Sequence, residues 1–344
     1  MCFLIKVEVK LMIINPFIEI EPKEKEWILS DYLHRQRYII NRKTIIVIID
    51  FIQGNKMSKK VKELLIKRGI LVDEDDAEVK YFYDIKKSWE KYGWIESFKY
   101  HIATLDYPFQ GNLKKASLKM EQYQLEEADN LREKQYSPEK ILKIYSLPKV
   151  KREQKSRFEA SLEDSFKRKL FRMLSMTFGY VQEAIPEWGG KELLFRTIPS
   201  GGARQPSEGY LYVKDIEELD SGWYYINGKK FTLEKISDYI IPNEIFEKSY
   251  SLAVSNTDIN IRATIILTSV FEKNMYRYRE SRTFRSIHMD IGFLLGALEE
   301  LSDESEIASF IQYGLPESYF EGILGLNYLE EGYQASIVLG ERKN

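Results

Sequence analysis

The sequence predicts an α+β chain built from two units, and three observations predict it. Residues 208–213 (EGYLYV) and 223–226 (WYYI) read as strands, with Asn227-Gly228 as a hairpin turn between strand signals. Leu162, Phe166, Leu170 and Leu174 recur every four residues, the spacing of an amphipathic helix. Between the halves, residues 111–155 shift to a charged composition with few large apolar side chains, which reads as an exposed helix or linker. The predicted division is a winged-helix-like domain over 1–110, the charged connection over 111–155 and a larger domain over 156–344.

In the first unit, residues 23–37 are a candidate helix ahead of the apolar run 44–49 (TIIVII). Periodicity cannot decide whether that run is a buried strand or a buried helix. Ser58 is placed to cap a helix running to Arg68, with Gly69 placed to end it and Ile70-Leu71-Val72 next as a short strand. Helix, turn, helix and strand in this order suggest a winged helix. Lys59, Lys60, Lys62, Lys67 and Arg68 make the second helix basic. A recognition helix for nucleic acid or an anionic peptide is one reading; a solvated face with Leu64 and Leu65 turned inward is the favoured one.

In the connection, Ser137-Pro138-Glu139 marks the start of another short helix, which Leu147-Pro148 ends. Further on, 262–271 (RATIILTSVF) and 334–340 (QASIVLG) are strand candidates. Residues 289–298 (MDIGFLLGAL) are apolar on nearly every face. They predict a helix buried centrally or at a subunit contact, with Gly292 and Gly296 allowing close backbone approach.

Composition excludes several classes of function. With 344 residues the chain is long enough to bury a sizeable core, and 44% hydrophobic against 30% charged residues is ordinary for a folded protein. Lys and Arg (51) nearly balance Asp and Glu (53), which disfavours a globally basic nucleic-acid binder. Cys2 is the only cysteine, and His34, His101 and His288 lie far apart without ligand spacing, so no metal centre is expected. No apolar run approaches the ~20 residues that span a bilayer, and the start lacks a clean signal-peptide core. The expectation is a cytoplasmic protein that engages neither membrane nor nucleic acid.

The segment richest in chemistry is 196–208 (RTIPSGGARQPSE). Pro199 stiffens the chain, Ser200 offers a hydroxyl, and Gly201-Gly202 lets backbone amides approach a flat or anionic ligand. Arg196 and Arg204 supply fixed positive charge. The segment lacks the glycine spacing of a dinucleotide fingerprint and the Lys-Ser/Thr of a phosphate-binding loop. By composition alone, a surface turn is the favoured reading.

The segment nevertheless resembles the PSGGAR motif of the SagB-type dehydrogenases, the azoline-oxidase family of the flavin-dependent nitroreductase superfamily. Other pieces resemble that family in the same order. They are Ser156-Arg157-Phe158 ahead of Met173-Leu174, Thr177-Phe178-Gly179-Tyr180 and Ser221-Gly222-Trp223-Tyr224-Tyr225. Then come Thr283-Phe284-Arg285 with Met289-Asp290-Ile291-Gly292, and Gly325-Leu326-Asn327 followed by Glu331 and Leu339-Gly340. Residues 94–109 also resemble a stretch that often precedes the catalytic domain.

The resemblance implies a nitroreductase-like domain holding FMN non-covalently, usually as a homodimer with its flavin sites at the subunit interface. Carried over by position, Lys155, Ser156 and Arg157 would meet the phosphate, helped by Arg342 or Lys343. Pro199, Ser200, Gly201 and Gly202 would lie along the isoalloxazine and ribityl chain, and Gly325 and Leu326 would border the ring. The family oxidises thiazolines and oxazolines in ribosomally made peptides. A Lys-Tyr pair is associated with that step, and here Arg277-Tyr278 stands at its place. Arginine stays protonated, so Tyr278 would be the base or proton relay, or Arg277 would orient an anionic or carbonyl-bearing substrate. A surface strand or a dimer contact is the plainer reading of the same residues.

The implied partners are a ribosomal precursor peptide, gripped through its leader by the winged helix, and a cyclodehydratase or other modifying enzyme. The alternatives are an NAD(P)H-dependent reductase of nitro, quinone or unsaturated substrates, a DNA-binding regulator, and a degenerate scaffold subunit.

Overall fold

The computed structural model describes residues 11–24, 26–105, 113–127, 134–150, 164–185 and 192–343. The chain divides into an amino-terminal unit, Met1–Gln110, and a carboxy-terminal unit, Gly111–Asn344.

The amino-terminal unit begins with β1 (Met12–Ile14), β2 (Ile18–Lys23), β3 (Glu26–Asp31) and β4 (Gln36–Ile40). It continues with helices α1 (Arg42–Ile52) and α2 (Lys59–Lys67), strand β5 (Leu71–Asp73), and helices α3 (Ala77–Lys91) and α4 (Ile95–Ala103). Strands β2, β3 and β4 form an antiparallel meander, and β1 pairs with β5. The helix expected over 23–37 is instead the β3–β4 hairpin. Leu29 and Ile40 point from its strands into a core with Ile48 and Leu65. Asp31 turns the chain by accepting the backbone amides of Leu33 and His34, and Arg35 takes a φ of +56°.

The ambiguous run 44–49 lies inside α1. Its start is set by Asn41, whose side chain accepts the Thr44 amide, a helix cap and not a strand feature. Helix α2 has the expected limits: Ser58 caps Val61, and Gly69 closes it with a φ of +66°. Only one of its two leucines turns inward; Leu65 is buried and Leu64 is exposed.

The carboxy-terminal unit opens with α5 (Leu113–Glu126) and a single helical turn over Pro138–Lys140. The helix expected there stops after that turn and gives way to strand β6 (Lys143–Ser146), which pairs with a strand far along the chain. Helix α6 (Phe166–Phe178) leads to the two-stranded β7 (Tyr180–Ala184) and β8 (Leu193–Arg196). The main sheet then takes β9 (Ser207–Val213), β10 (Gly222–Asn227), β11 (Thr232–Ser237), β12 (Ile259–Val270), β13 (Ala308–Gln312) and β14 (Glu331–Arg342). Helices α7 (Asn243–Ser249), α8 (Ser251–Asn256), α9 (Phe271–Met275), α10 (Thr283–Glu304) and α11 (Glu317–Leu324) fill the connections.

Seven strands, in the order β13-β14-β12-β9-β10-β11-β6, form one antiparallel sheet. Both of its faces are covered. Leu211, Val213, Ile265 and Ile337 face α6 and α10, while Tyr210, Tyr212, Trp223 and Val338 face α7, α8 and α11. Two-sided burial is why the strands read as unbroken apolar runs instead of alternating ones.

Helix α10 buries Ile287, Ile291, Leu294, Leu295 and Leu298. Gly292 and Gly296 do not face that core. They lie on the outward side with the exposed Met289 and Phe293, and nothing stands within 4 Å of the position a Cβ would take on either glycine.

The register of the central strands gathers three connections at one place. Ser207 opens β9 beside Ser269 near the end of β12, and Ser269 is paired with Gly332 near the start of β14. The segments 199–206, 271–282 and 325–330 therefore emerge together at one end of the sheet.

Candidate functional site

The serine–glycine loop is tied down from α10. Ser200 Oγ donates to Asp290 Oδ2 at 2.6 Å, and the Gly201 amide donates to Oδ1 of the same carboxylate at 3.1 Å. The Ser200 hydroxyl also accepts the Gln205 amide at 2.9 Å. Burial raises the Asp290 carboxyl above the ordinary range, opposed by the bonds from Ser200 and Gly201. Gly202 has a φ of +61°, and a Cβ there would overlap the hydroxyl oxygen of Tyr278 and come within 3.0 Å of its Cζ. The structure therefore brings Tyr278 against Ser200–Gly202. Arg196, Pro199 and Ser200 line a cavity of about 310 Å³ beside this loop.

The two arginines of the loop are both engaged within the protein. Arg204 donates through Nε to the Lys273 carbonyl at 2.6 Å, and both terminal nitrogens grip the Glu127 carboxylate. The side chains of Arg204 and Glu127 are 5% and 1% exposed. Arg196 donates to the Ser207 carbonyl at 2.8 Å and to the Tyr180 hydroxyl at 3.2 Å, with its guanidinium 4.9 Å from the Tyr180 ring centre. Both act as internal struts, although the Nε of Arg196 finds no hydrogen-bond partner among the described residues.

A second buried pair lies beneath them. Lys273 Nζ donates to Glu208 and, at 3.2 Å, to the Gln205 carbonyl, while Tyr225 donates to Glu208 at 2.9 Å. Burial works against ionisation of Glu208, but Lys273 and then Arg196 outweigh it and hold the carboxyl below its usual value. A carboxyl depressed by folding contributes stability above its unfolded value, about 4.3, and that stability is lost as pH falls. Acidification below that point should weaken the carboxy-terminal unit. In Glu208→Gln the slope of unfolding free energy against pH should flatten; an unchanged slope would assign the acid sensitivity elsewhere.

The larger cavity, about 650 Å³, is lined by Gly325, Leu326, Val270, Lys134 and Glu331, among others. Gly325 ends α11 in the left-handed conformation with a φ of +66°, and nothing lies within 4 Å of its Cβ position. On the cavity wall, Glu331 accepts Tyr210 Oη at 2.8 Å, Thr268 Oγ1 at 2.7 Å and the Lys134 ammonium.

Arg277 is half-buried, with its guanidinium 5.8 Å from the Tyr278 ring centre. Its Nε and Nη1 have no hydrogen-bond partner among the described residues. Burial pushes its pKa down from the ordinary guanidinium value.

Of the proposed phosphate set, the structure describes only the carboxy-terminal members. Arg342 lies eleven residues along β14 from Glu331, roughly 36 Å at strand rise, with Lys343 just beyond it. Lys155, Ser156 and Arg157 fall outside the described residues. Glu127, Glu208 and Lys273, which are buried, and the half-buried Lys134 form the supports that sequence reading missed. Their partners lie 65 to 197 residues away in the chain, so no local pattern marks them. Among the described residues, no group of His, Cys, Asp or Glu is placed to hold a metal ion, and no helix is long and apolar enough to cross a membrane.

No family model matches the chain. It is 30% identical over 155 residues to the trifolitoxin-processing protein TfxB of Rhizobium leguminosarum bv. trifolii, covering 44% of this chain and 41% of that one. It is 26% identical over 98 residues to "Putative nitroreductase MJ1384" of Methanocaldococcus jannaschii, covering 28% and 48%. The chain thus spans less than half the length of these curated relatives. A chain of the E. coli microcin synthetase McbBCD complex with truncated pro-MccB17 bound superposes with a TM-score of 0.42 at 18% identity, covering 62% of this chain and 79% of that one.

Proposed function

We propose, on the premise that this chain is related to the SagB-type dehydrogenases of the nitroreductase superfamily, that it holds FMN and oxidises an azoline ring in a ribosomally made peptide. The observation that carries the reading is the convergence of three segments at one end of the sheet. Ser200–Gly202 is pinned by Asp290, Tyr278 lies on Gly202, and Gly325–Leu326 borders a cavity of about 650 Å³. That volume suits a cofactor-sized ligand. The open position at Gly325 fits a flat ring, since backbone there is not screened by a side chain, while Gly202 is covered by Tyr278. The similarity to TfxB, named for the processing of trifolitoxin, supports a role in processing a toxin precursor.

When bound, FMN supplies a two-electron acceptor. The protein's part is to hold the substrate carbon still, exclude water and take up a proton. Tyr278 is the side chain we assign to relaying that proton, its hydroxyl passing its own proton onward as it receives the substrate's, because that hydroxyl lies on the loop while Arg277 stays protonated and has no site to accept one.

The amino-terminal unit is the leader-binding part in this reading. β4 is an edge of its meander, and Ile39 on that strand is exposed, as are Ile46 and Ile49 on the following helix. An extended leader would add as a further strand there. The outward face of α10, with Met289, Gly292, Phe293 and Gly296, is the proposed homodimer contact. A cyclodehydratase or similar enzyme would supply the ring.

Purified protein is expected to be yellow, to release FMN on denaturation, and to remove two hydrogens from an azoline peptide, with a lower KM when the leader is attached. Colourless protein that takes up no FMN in a titration would overturn the reading. A flavoprotein that NAD(P)H reduces rapidly without peptide would favour the reductase alternative. One that neither reduces nor oxidises would favour the scaffold, which the arginine at position 277 recommends.

A further inference from the structure

The cavity beside Gly325 and Leu326 is lined by three basic residues, Lys134, Lys273 and Arg279. Two are occupied elsewhere. Lys273 is fully buried and points its ammonium at Glu208 and the Gln205 carbonyl. Arg279 stacks its guanidinium 3.7 Å from the ring centre of Tyr123 on α5. Lys134 differs. Its side chain is 19% exposed, against 9% for its partner Glu331, so it is the more open member of the pair.

Behind it, Glu331 is fixed by Tyr210 at 2.8 Å and Thr268 at 2.7 Å. The Lys134 ammonium also donates to the Tyr210 hydroxyl and lies 5.3 Å from the ring centre of Tyr136. The Lys134 carbonyl accepts the Tyr225 hydroxyl at 3.2 Å, which anchors the backbone as well as the side chain. This is a charge held in place from several directions at the wall of a ligand cavity, delivered by a stretch of chain that reads as linker.

We infer that Lys134 is a positioning residue of the site: its ammonium, balanced by Glu331, sets how readily a ligand in this cavity accepts negative charge. The inference rests on the proposal that the ligand is FMN. The geometry gives it an unusual signature. The pair is neutral as a whole, so removing either partner exposes the opposite charge to the cavity. A fixed cation favours the reduced, more negative ligand and a fixed anion disfavours it, strongly so where water is scarce.

The test is the reduction potential of FMN bound to the full-length protein, measured spectroscopically without peptide. In Lys134→Met the two-electron equilibrium should move at least tenfold toward the oxidised form, about 30 mV downward. In Glu331→Gln it should move by a similar factor upward, and Lys134→Arg should stay near wild type. Shifts of one sign in Met and Gln variants, or none, would overturn the inference while wild-type protein that binds FMN keeps the underlying proposal intact. Wild-type protein that refuses FMN would overturn that proposal instead. Should Lys134→Met not fold, the upward shift in Glu331→Gln against an unchanged Lys134→Arg decides the matter.

Discussion

Replacing Glu127 with alanine is expected to destabilise the carboxy-terminal unit by about 3–5 kcal/mol, the cost of leaving one member of a buried ion pair without its counter-charge. Arg204 cannot lose its proton, and at 5% exposure it cannot turn to water. Its remaining bond to the Lys273 carbonyl satisfies one donor and leaves the others empty. Arg204→Met should cost a comparable amount by stranding the Glu127 carboxylate. The double variant Glu127→Met, Arg204→Met should recover much of the loss, because no buried charge is then left alone. The unfolding transition of the unit in urea measures all three. A loss under about 1 kcal/mol for either single change would mean that the pair behaves as an exposed one. The same variants report on the loop: with Arg204 released, Ala203 and Gln205, which hold φ values of +54° and +50°, lose the strut that keeps them strained.

Gly202→Ala should remove most ligand binding. Its φ of +61° costs an L-residue about 1–2 kcal/mol, and the new methyl would occupy the place of the Tyr278 hydroxyl. The loop cannot retreat easily, since Asp290 and Gln205 hold Ser200 on one side and Arg204 anchors the other. FMN titration should show at least a tenfold weaker Kd. Adding Tyr278→Phe takes away the overlapping oxygen but leaves the ring Cζ at 3.0 Å, so recovery should be partial. Strictly additive effects of the two substitutions would show that the residues do not touch in solution.

The carboxy-terminal sheet was largely legible in the sequence because its strands are buried on both sides. Apolar runs such as 208–213 and 262–271 announce themselves whatever their neighbours are, and Asn227-Gly228 marks the turn between β10 and β11. The hairpin of β3 and β4 was missed because its strands are short and partly polar. What makes it a hairpin is the turn at Asp31, whose carboxylate also accepts a bond from Asn15, sixteen residues away.

The site shows the same split. Ser200, Gly201 and Gly202 stand out because serine and paired glycines are unusual in series. The work of Arg204 is set by Glu127, 77 residues distant, and that of Lys134 by Glu331, 197 residues distant. Charges drawn together over such separations leave no periodic trace. The sequence marks Arg196 and Arg204 as ligand-binding candidates but gives no sign of the internal bonds that also tie them into the frame.

The strand order has a consequence for how the chain comes together as it is made. β14 sits inside the sheet between β12 and β13, yet it is the last of the described strands to be synthesised. From the moment Val270 leaves the ribosome until Glu331 emerges, one long edge of β12 has no neighbour. At roughly 5–20 residues per second that interval lasts several seconds. During it, the twelve residues of β12, mostly hidden in the finished sheet, stand open to pairing with another nascent copy, a window in which a holding chaperone has most to protect.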